Sequence, residues 1–464
     1  MRELATPEPI PGDIAQDNKG IFGHPKGLTP LFFTELWERF SYYGMRAILM
    51  LYMTAPLEKG GLGFGIPEAT SLYGSYTMFV YLTNLPGGLI ADKILGARLA
   101  VLCGGIIIAC GHFSMVFPSL PFFYLGLTLI AIGTGLLKPN ISSMVGSLYA
   151  EDDPRRESGF SIFYFGINVG AVLAPLVCGF LAESQTFKDF LASRGIDPNS
   201  SWHWGFGAAG VGMTLGLIVF LLLRRRLAHV GGLTRKRKDA PDFVPNKPLT
   251  RDEWKRVGAI FIFFLFTILF WAAYEQKGAS LNLFTRDLVR RDVGGWTYPA
   301  SWMQSVTGIS VLILAPLFAM LWLRMGKRQP SSPVKFTFGL IFIGLGYLLM
   351  VPASWLTGQG KISPFWLVGL YFLEVVGEMC LSPVGLSTVT KLAPAKLLGI
   401  MMGVWFLAAA LGNKLAGFFA GFYDSKSPGT LVKLYGGIAV GLLISAGILA
   451  LLTPKIKRLM GKVH

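Results

Sequence analysis

Glu35-Leu-Trp-Glu38-Arg39-Phe-Ser-Tyr42-Tyr43-Gly-Met-Arg46 lies inside an otherwise apolar run that the sequence places near 28–56. Glu35, Glu38, Arg39, Tyr42, Tyr43 and Arg46 are spaced by three, four and seven, so a helix brings them onto one face. A charged side chain at the centre of a membrane span costs ~2.5–3.5 kcal/mol or more. Four of them on one stripe must face a watery or protein-lined cavity and meet partners there. A charged stripe inside an apolar helix is therefore read as a functional site.

The rest of the chain supports a polytopic protein. Of 464 residues, 52% are hydrophobic and 15% charged, well below the ~25% charged residues of soluble domains. Apolar runs long enough to cross a bilayer are expected near 28–56, 69–91, 98–117, 121–148, 158–182 and 203–224. A second set is expected near 256–276, 301–324, 335–356, 363–391, 397–423 and 430–453. The fold class expected is therefore an all-α membrane protein of about twelve transmembrane helices in two six-helix bundles. The expected organisation is a polar N-terminal tail (1–27), a first bundle (28–224), a basic linker (225–255), a second bundle (256–453) and a basic tail (454–464).

The formal net charge of +16 is a record of topology. Between Arg224 and Arg256 stand 11 Lys/Arg against 4 Asp/Glu, and basic residues gather on the cytoplasmic side of bilayers. Both termini are expected in the cytoplasm, with the chain in the cell (inner) membrane. No nucleic-acid partner is expected. Lys277, Arg286, Arg290 and Arg291, in 277–300, are expected on the outside. The first 30 residues hold no apolar run, so a cleaved signal peptide is not expected. Cys103, Cys110, Cys178 and Cys380 all fall in apolar stretches and read as packing residues, with no metal site.

Two similar halves joined by a polar linker form the architecture of major-facilitator transporters, in which substrate binds near the midplane between halves. The turn Gly88-Leu-Ile-Ala-Asp92-Lys-Ile-Leu-Gly96-Ala-Arg98 resembles that superfamily's G-x-x-x-D-x-x-G-x-R loop, where Asp92 and Arg98 are expected to make charge pairs or cap helix ends. Further polar groups interrupt later spans: Lys138, Asn168, Glu275, and the pair Glu374 and Glu378 on one helical face. Lys138 is 17 residues past Pro121 and Glu378 is 14 past Pro364, a depth mismatch of roughly 4–5 Å at 1.5 Å per residue. Lys138–Glu378 and Arg46–Glu275 are thus expected as bridges joining the two halves. A buried carboxylate that accepts a proton abandons its basic partner, which offers a coupling mechanism. His112 reads as a packed core histidine.

Glu35-x-x-Glu38-Arg39 resembles the E-x-x-E-R motif of the proton-dependent oligopeptide transporters. The same family's signatures are similar to Gly87-Gly88-Leu-Ile-Ala-Asp92, Leu137-Lys138-Pro139-Asn140, Phe163-Tyr164-Phe-Gly-Ile-Asn168-Val-Gly170, Leu381-Ser382-Pro383-Val-Gly385 and Met402-Gly403-Val-Trp405-Phe406. The resemblance spans about 25–455. It implies proton coupling at Glu35, Glu38, Arg39, Glu275 and Glu378, and carboxylate binding by Arg46 and Lys138. It further implies that Glu378 takes the peptide's ammonium group and Asn168 its backbone. Tyr42, Tyr43, Tyr81, Ser382 and Trp405 would line the site, although Tyr and Trp at helical spacing also suit plain packing.

Function expected on this resemblance is proton-coupled symport of di- and tripeptides into the cell, by a monomer driven by protons and needing no other cofactor. Bacterial members commonly insert two extra helices between the halves; 225–255 is too short and too charged for them. The alternatives are uptake of nitrate or another small anion on the same scaffold, or a non-transporting peptide sensor. An enzyme is not expected, because neither His-Glu-x-x-His nor Gly-x-Ser-x-Gly occurs.

Overall fold

The computed structural model describes residues 20–150, 152–233 and 248–461. Fifteen α-helices dominate the described residues: α1 (Leu28–Thr54), α2 (Ile66–Leu82), α3 (Asn84–Ile90), α4 (Ala97–Ser114), α5 (Leu120–Gly146), α6 (Arg156–Glu183), α7 (Gln185–Ser193) and α8 (Ser201–Leu222), followed by α9 (Arg251–Tyr274), α10 (Ser280–Leu288), α11 (Ser305–Met325), α12 (Ser332–Leu356), α13 (Phe365–Leu392), α14 (Leu398–Ala420) and α15 (Pro428–Met460). The sole sheet among them is a hairpin of β1 (Asp292–Val293) and β2 (Trp296–Thr297).

Ten helices among the described residues are long and apolar enough to cross a membrane. Two further spans complete the expected twelve. Helix α1 has the length, but its four charged residues lower its apolar character. The second span is divided at Thr83 into α2 and α3, because Pro86 lacks the N–H that would continue the ladder. Gly87 then comes so close to α5 that a Cβ there would lie 2.0 Å from Gly135 O.

Local chemistry sets several boundaries. Helix α9 opens with a capping box: Thr250 Oγ1 accepts from Glu253 N (3.2 Å) and Glu253 Oε2 from Thr250 N (2.7 Å). It starts at Arg251, inside the expected linker; residues 234–247 of that linker lie outside the described residues. Helix α15 starts behind the Ser427 cap with Pro428 in its first turn. It runs to Met460, past the boundary expected at 453, since Ile456 and Met460 are buried and packing carries the helix through Pro454. Of the expected N-terminal tail, 1–19 lie outside the described residues, whereas His24 is buried.

The described chain groups into two compact units. The first joins the residues up to Ile48 to those from Phe79 to the linker; the second joins Leu49–Met78 to everything after the linker. The end of α1 and most of α2 thus belong with the later helices, a departure from the 28–224 and 256–453 division. The second unit shows why. A Cβ on Gly74 would lie 3.0 Å from the Gly417 Cα, Lys414 Nζ donates to Ser75 Oγ (2.7 Å) and Arg286 Nη1 to Thr54 Oγ1 (2.7 Å).

The turn before α4 departs from expectation in its partners. Gly96 has φ +76, which favours glycine. Among the described residues Arg98 forms no ion pair with the exposed Asp92; its backbone N–H donates to Gly231 O (2.8 Å) and its Nη1 to Leu227 O (3.2 Å). It ties the chain after α8 to the loop before α4.

Candidate functional site

In the first unit α1 packs its far side on glycines. A Cβ on Gly170 of α6 would lie 2.4 Å from Leu36 O and 3.2 Å from the Arg39 Cβ. One on Gly212 of α8 would lie 2.4 Å from the Phe40 ring, and one on Gly44 itself 2.5 Å from Cys178 Sγ. These close approaches fix the rotation of α1 and hence the direction of its charged stripe.

All of Glu35, Glu38, Arg39 and Arg46 are buried. The Arg39 guanidinium donates through Nε and Nη2 to the two oxygens of Glu38, a planar bidentate pair. Glu35 is held less firmly. Its Oε1 lies 3.4 Å from Arg39 Nε, and its Oε2 has no hydrogen-bond partner among the described residues. Two carboxylates therefore share one guanidinium unequally, Glu38 through two hydrogen bonds and Glu35 through one longer contact. The Arg39 guanidinium also lies over Tyr42 (5.0 Å) and Tyr43 (5.8 Å), and Arg46 over Tyr42 (5.8 Å).

Lys138 of α5 joins this group. Its Nζ lies 5.4 Å from the Tyr81 ring centre, within electrostatic reach of Glu35, Glu38, Arg39 and Arg46. Asn168 is buried, and its Nδ2 donates back to Tyr164 O (2.9 Å). His112 is fully enclosed on α4 and neither ring nitrogen has a hydrogen-bond partner among the described residues.

The second unit holds the remaining residues. Tyr274, at the end of α9, donates its hydroxyl to Glu378 Oε2 on α13. Glu275 is buried in the turn Glu275–Gly278 that follows. Ser382 is half-buried one turn past Glu378. Trp405 is buried edge-on against Phe336 (6.2 Å between rings), and a Cβ on Gly385 would lie 2.1 Å from its ring. Its surroundings are those of a packing residue.

Lys277 adds a residue that the sequence reading did not place in the site: it is buried, with Nζ 3.4 Å from the Tyr274 ring centre, and lies within electrostatic reach of Glu374 and Glu378. The segment after it turns inward as α10, whose Ser280–Thr285 are all buried. Its polar composition (Ser280, Asn282, Thr285) reads as surface, which hid both Lys277 and Tyr274. Among the described residues no cluster of His, Cys, Asp and Glu could hold a metal ion.

Twelve spans with buried, opposed charges at mid-helix define the class: a multi-pass membrane transporter of all-α, major-facilitator fold. The family model described as "POT family" matches residues 98–236 and 242–433. A peptide transporter, YePEPT, of Yersinia enterocolitica is 36% identical, over 96% of this chain and 97% of that protein. A di-/tripeptide transporter of Lactococcus lactis subsp. cremoris is 33% identical, over 97% of this chain and 100% of that one. Among solved structures, a variant of peptide transporter POT in complex with alafosfalin superposes with a TM-score of 0.85 at 37% identity, over 97% of this chain and 99% of that one. The chain belongs to the POT family.

Proposed function

We propose that this protein carries di- and tripeptides into the cell together with protons, by alternating access. The observation that carries the reading is the Glu35–Arg39–Glu38 group beside Lys138 and Arg46, in a chain of this family. Opposite charges for a zwitterion are available: Arg46 and Lys138 for the carboxylate, Glu378 for the ammonium group. Glu35, Glu38 and Arg39 couple the proton, with Glu275 and Glu378 as further carboxylates. Asn168, Tyr42, Tyr43, Tyr81 and Ser382 would contact the peptide, and Trp405 would support the wall.

Arg46–Glu275 and Lys138–Glu378 are proposed as bridges that break when substrate and proton arrive. The protein would work as a monomer in the cell membrane, both termini cytoplasmic. The driving force suffices: one charge moved through 100 mV supplies ~2.3 kcal/mol and one pH unit adds ~1.4. Together they support a gradient of several hundred-fold, at about tenfold per 1.4 kcal/mol.

Uptake of labelled dialanine into proteoliposomes tests the substrate class. Competition by unlabelled trialanine, with none from nitrate, supports it; uptake of nitrate indifferent to dipeptides would overturn it.

A further inference from the structure

Glu374 has no place in the chemistry so far, yet among the described residues it is the most enclosed carboxyl of the second unit, at 0% exposure one helical turn before Glu378. Neither of its oxygens has a hydrogen-bond partner among the described residues. The groups facing it come from two other elements and its own helix. Lys277 lies in the turn after α9, Tyr347 on α12, and Tyr371 and Glu378 on α13. Tyr435 of α15 stands behind Tyr347, ring to ring at 6.2 Å.

Tyr347 decides the protonation. Its hydroxyl has one proton, which it donates to Ala273 O at 2.8 Å. Toward Glu374 it can only accept. An ionised carboxylate there would face another oxygen's lone pairs, whereas a carboxylic acid would donate to it. Enclosing a carboxylate without donors costs several kcal/mol. Glu378 differs, because Tyr274 supplies it with a donor. The two acids one turn apart thereby differ: Glu378 has a donor in Tyr274, and Glu374 has none.

We propose that Glu374 is a proton-binding site of the second unit, neutral in the conformation described, with the Tyr347 hydroxyl the acceptor toward which its proton would point. In the release step the carboxyl O–H bond breaks, the proton passes to water, and the Lys277 ammonium faces the negative charge left behind. Binding is the reverse, with no change of oxidation state. Its use in transport rests on the symport reading above.

Infrared difference spectra of the full chain in lipid nanodiscs, recorded across pH, test the site directly. A neutral-carboxyl stretch that is present in the wild type and missing in Glu374→Gln supports it; identical spectra overturn it. Should Glu374→Gln fail to fold, Tyr347→Phe removes the acceptor and must shift that band, and an unshifted band overturns the assignment. In proteoliposomes, Glu374→Gln should lower gradient-driven accumulation about tenfold, with an altered pH profile. A wild-type profile in Glu374→Gln overturns its part in coupling. A wild type with no gradient response instead defeats the symport reading, while the infrared band still decides the proton site.

Discussion

The Tyr274 hydroxyl donates to the Glu378 carboxylate, so the acid assigned to the peptide's ammonium group is already oriented before substrate arrives. Such a hydrogen bond to a charged group contributes ~1.5–3 kcal/mol. Tyr274→Phe should raise the KM for dialanine by about tenfold or more, with a smaller effect on an N-acetylated peptide. Equal effects on both peptides would show that Glu378 does not meet the ammonium group.

Glu35 and Glu38 should respond differently to the same change. Glu38→Gln breaks the bidentate pair and leaves the buried Arg39 only its 3.4 Å contact with Glu35, a loss of up to about 3–5 kcal/mol, the cost of breaking a buried ion pair. Glu35→Gln removes only the 3.4 Å contact. Thermal unfolding in detergent should therefore fall sharply for Glu38→Gln and little for Glu35→Gln, while both lose proton-driven uptake. Equal stability losses would contradict the division of labour between the two acids.

Gly170 sets the position of the stripe. Its missing Cβ would lie 2.4 Å from Leu36 O, against backbone that cannot rotate away. Gly170→Ala should cost about 1–3 kcal/mol by overpacking and lower the uptake rate, because Arg39 shifts with α1. Thermal unfolding and initial uptake rates check this together. Wild-type values in both would show that the two helices separate freely.

At the end of the first unit, His24 Nδ1 lies 2.9 Å from the Tyr149 hydroxyl and Arg155 Nη1 donates to Gly23 O (3.1 Å). Burial, helped by the Arg155 charge and opposed by Asp153, holds the His24 imidazole below its usual 6.5. The docked segment prefers neutral histidine, so docking is fully present above pH 6.5 and weakens as pH falls below it. Protection factors for hydrogen exchange across 20–27, corrected for the intrinsic pH dependence of amide exchange, should be lower at pH 5.5 than at pH 7.5, and His24→Ala should abolish the difference. Higher protection at low pH would reverse the sign.

Much of this was legible in the sequence, for a physical reason. Charges in an apolar helix are so costly that Glu35, Glu38, Arg39, Arg46 and Lys138 stand out without any structure, and all five occupy one electrostatic group. What stayed hidden depends on tertiary context. Lys277 and Tyr274 sit beside a polar segment that local composition assigns to the surface, yet α10 buries it. The break at Thr83 had a signal in Pro86, outweighed by the apolar run around it. For Arg98 the expectation was a charge pair or a helix cap; its side chain donates to Leu227 O at the end of the short helix Arg224–Leu227, a cap whose distant partner no spacing encodes.

The central claim is that peptide movement is driven by protons through this chain's carboxylates. Its most direct test is accumulation of labelled dialanine in proteoliposomes, with and without an inward proton gradient and an inside-negative potential. Accumulation above the external concentration only when the gradient is imposed, abolished by a protonophore, is the predicted result. Equilibration to the same level with or without the gradient would contradict proton coupling, and with it the roles given to Glu35 and Glu38.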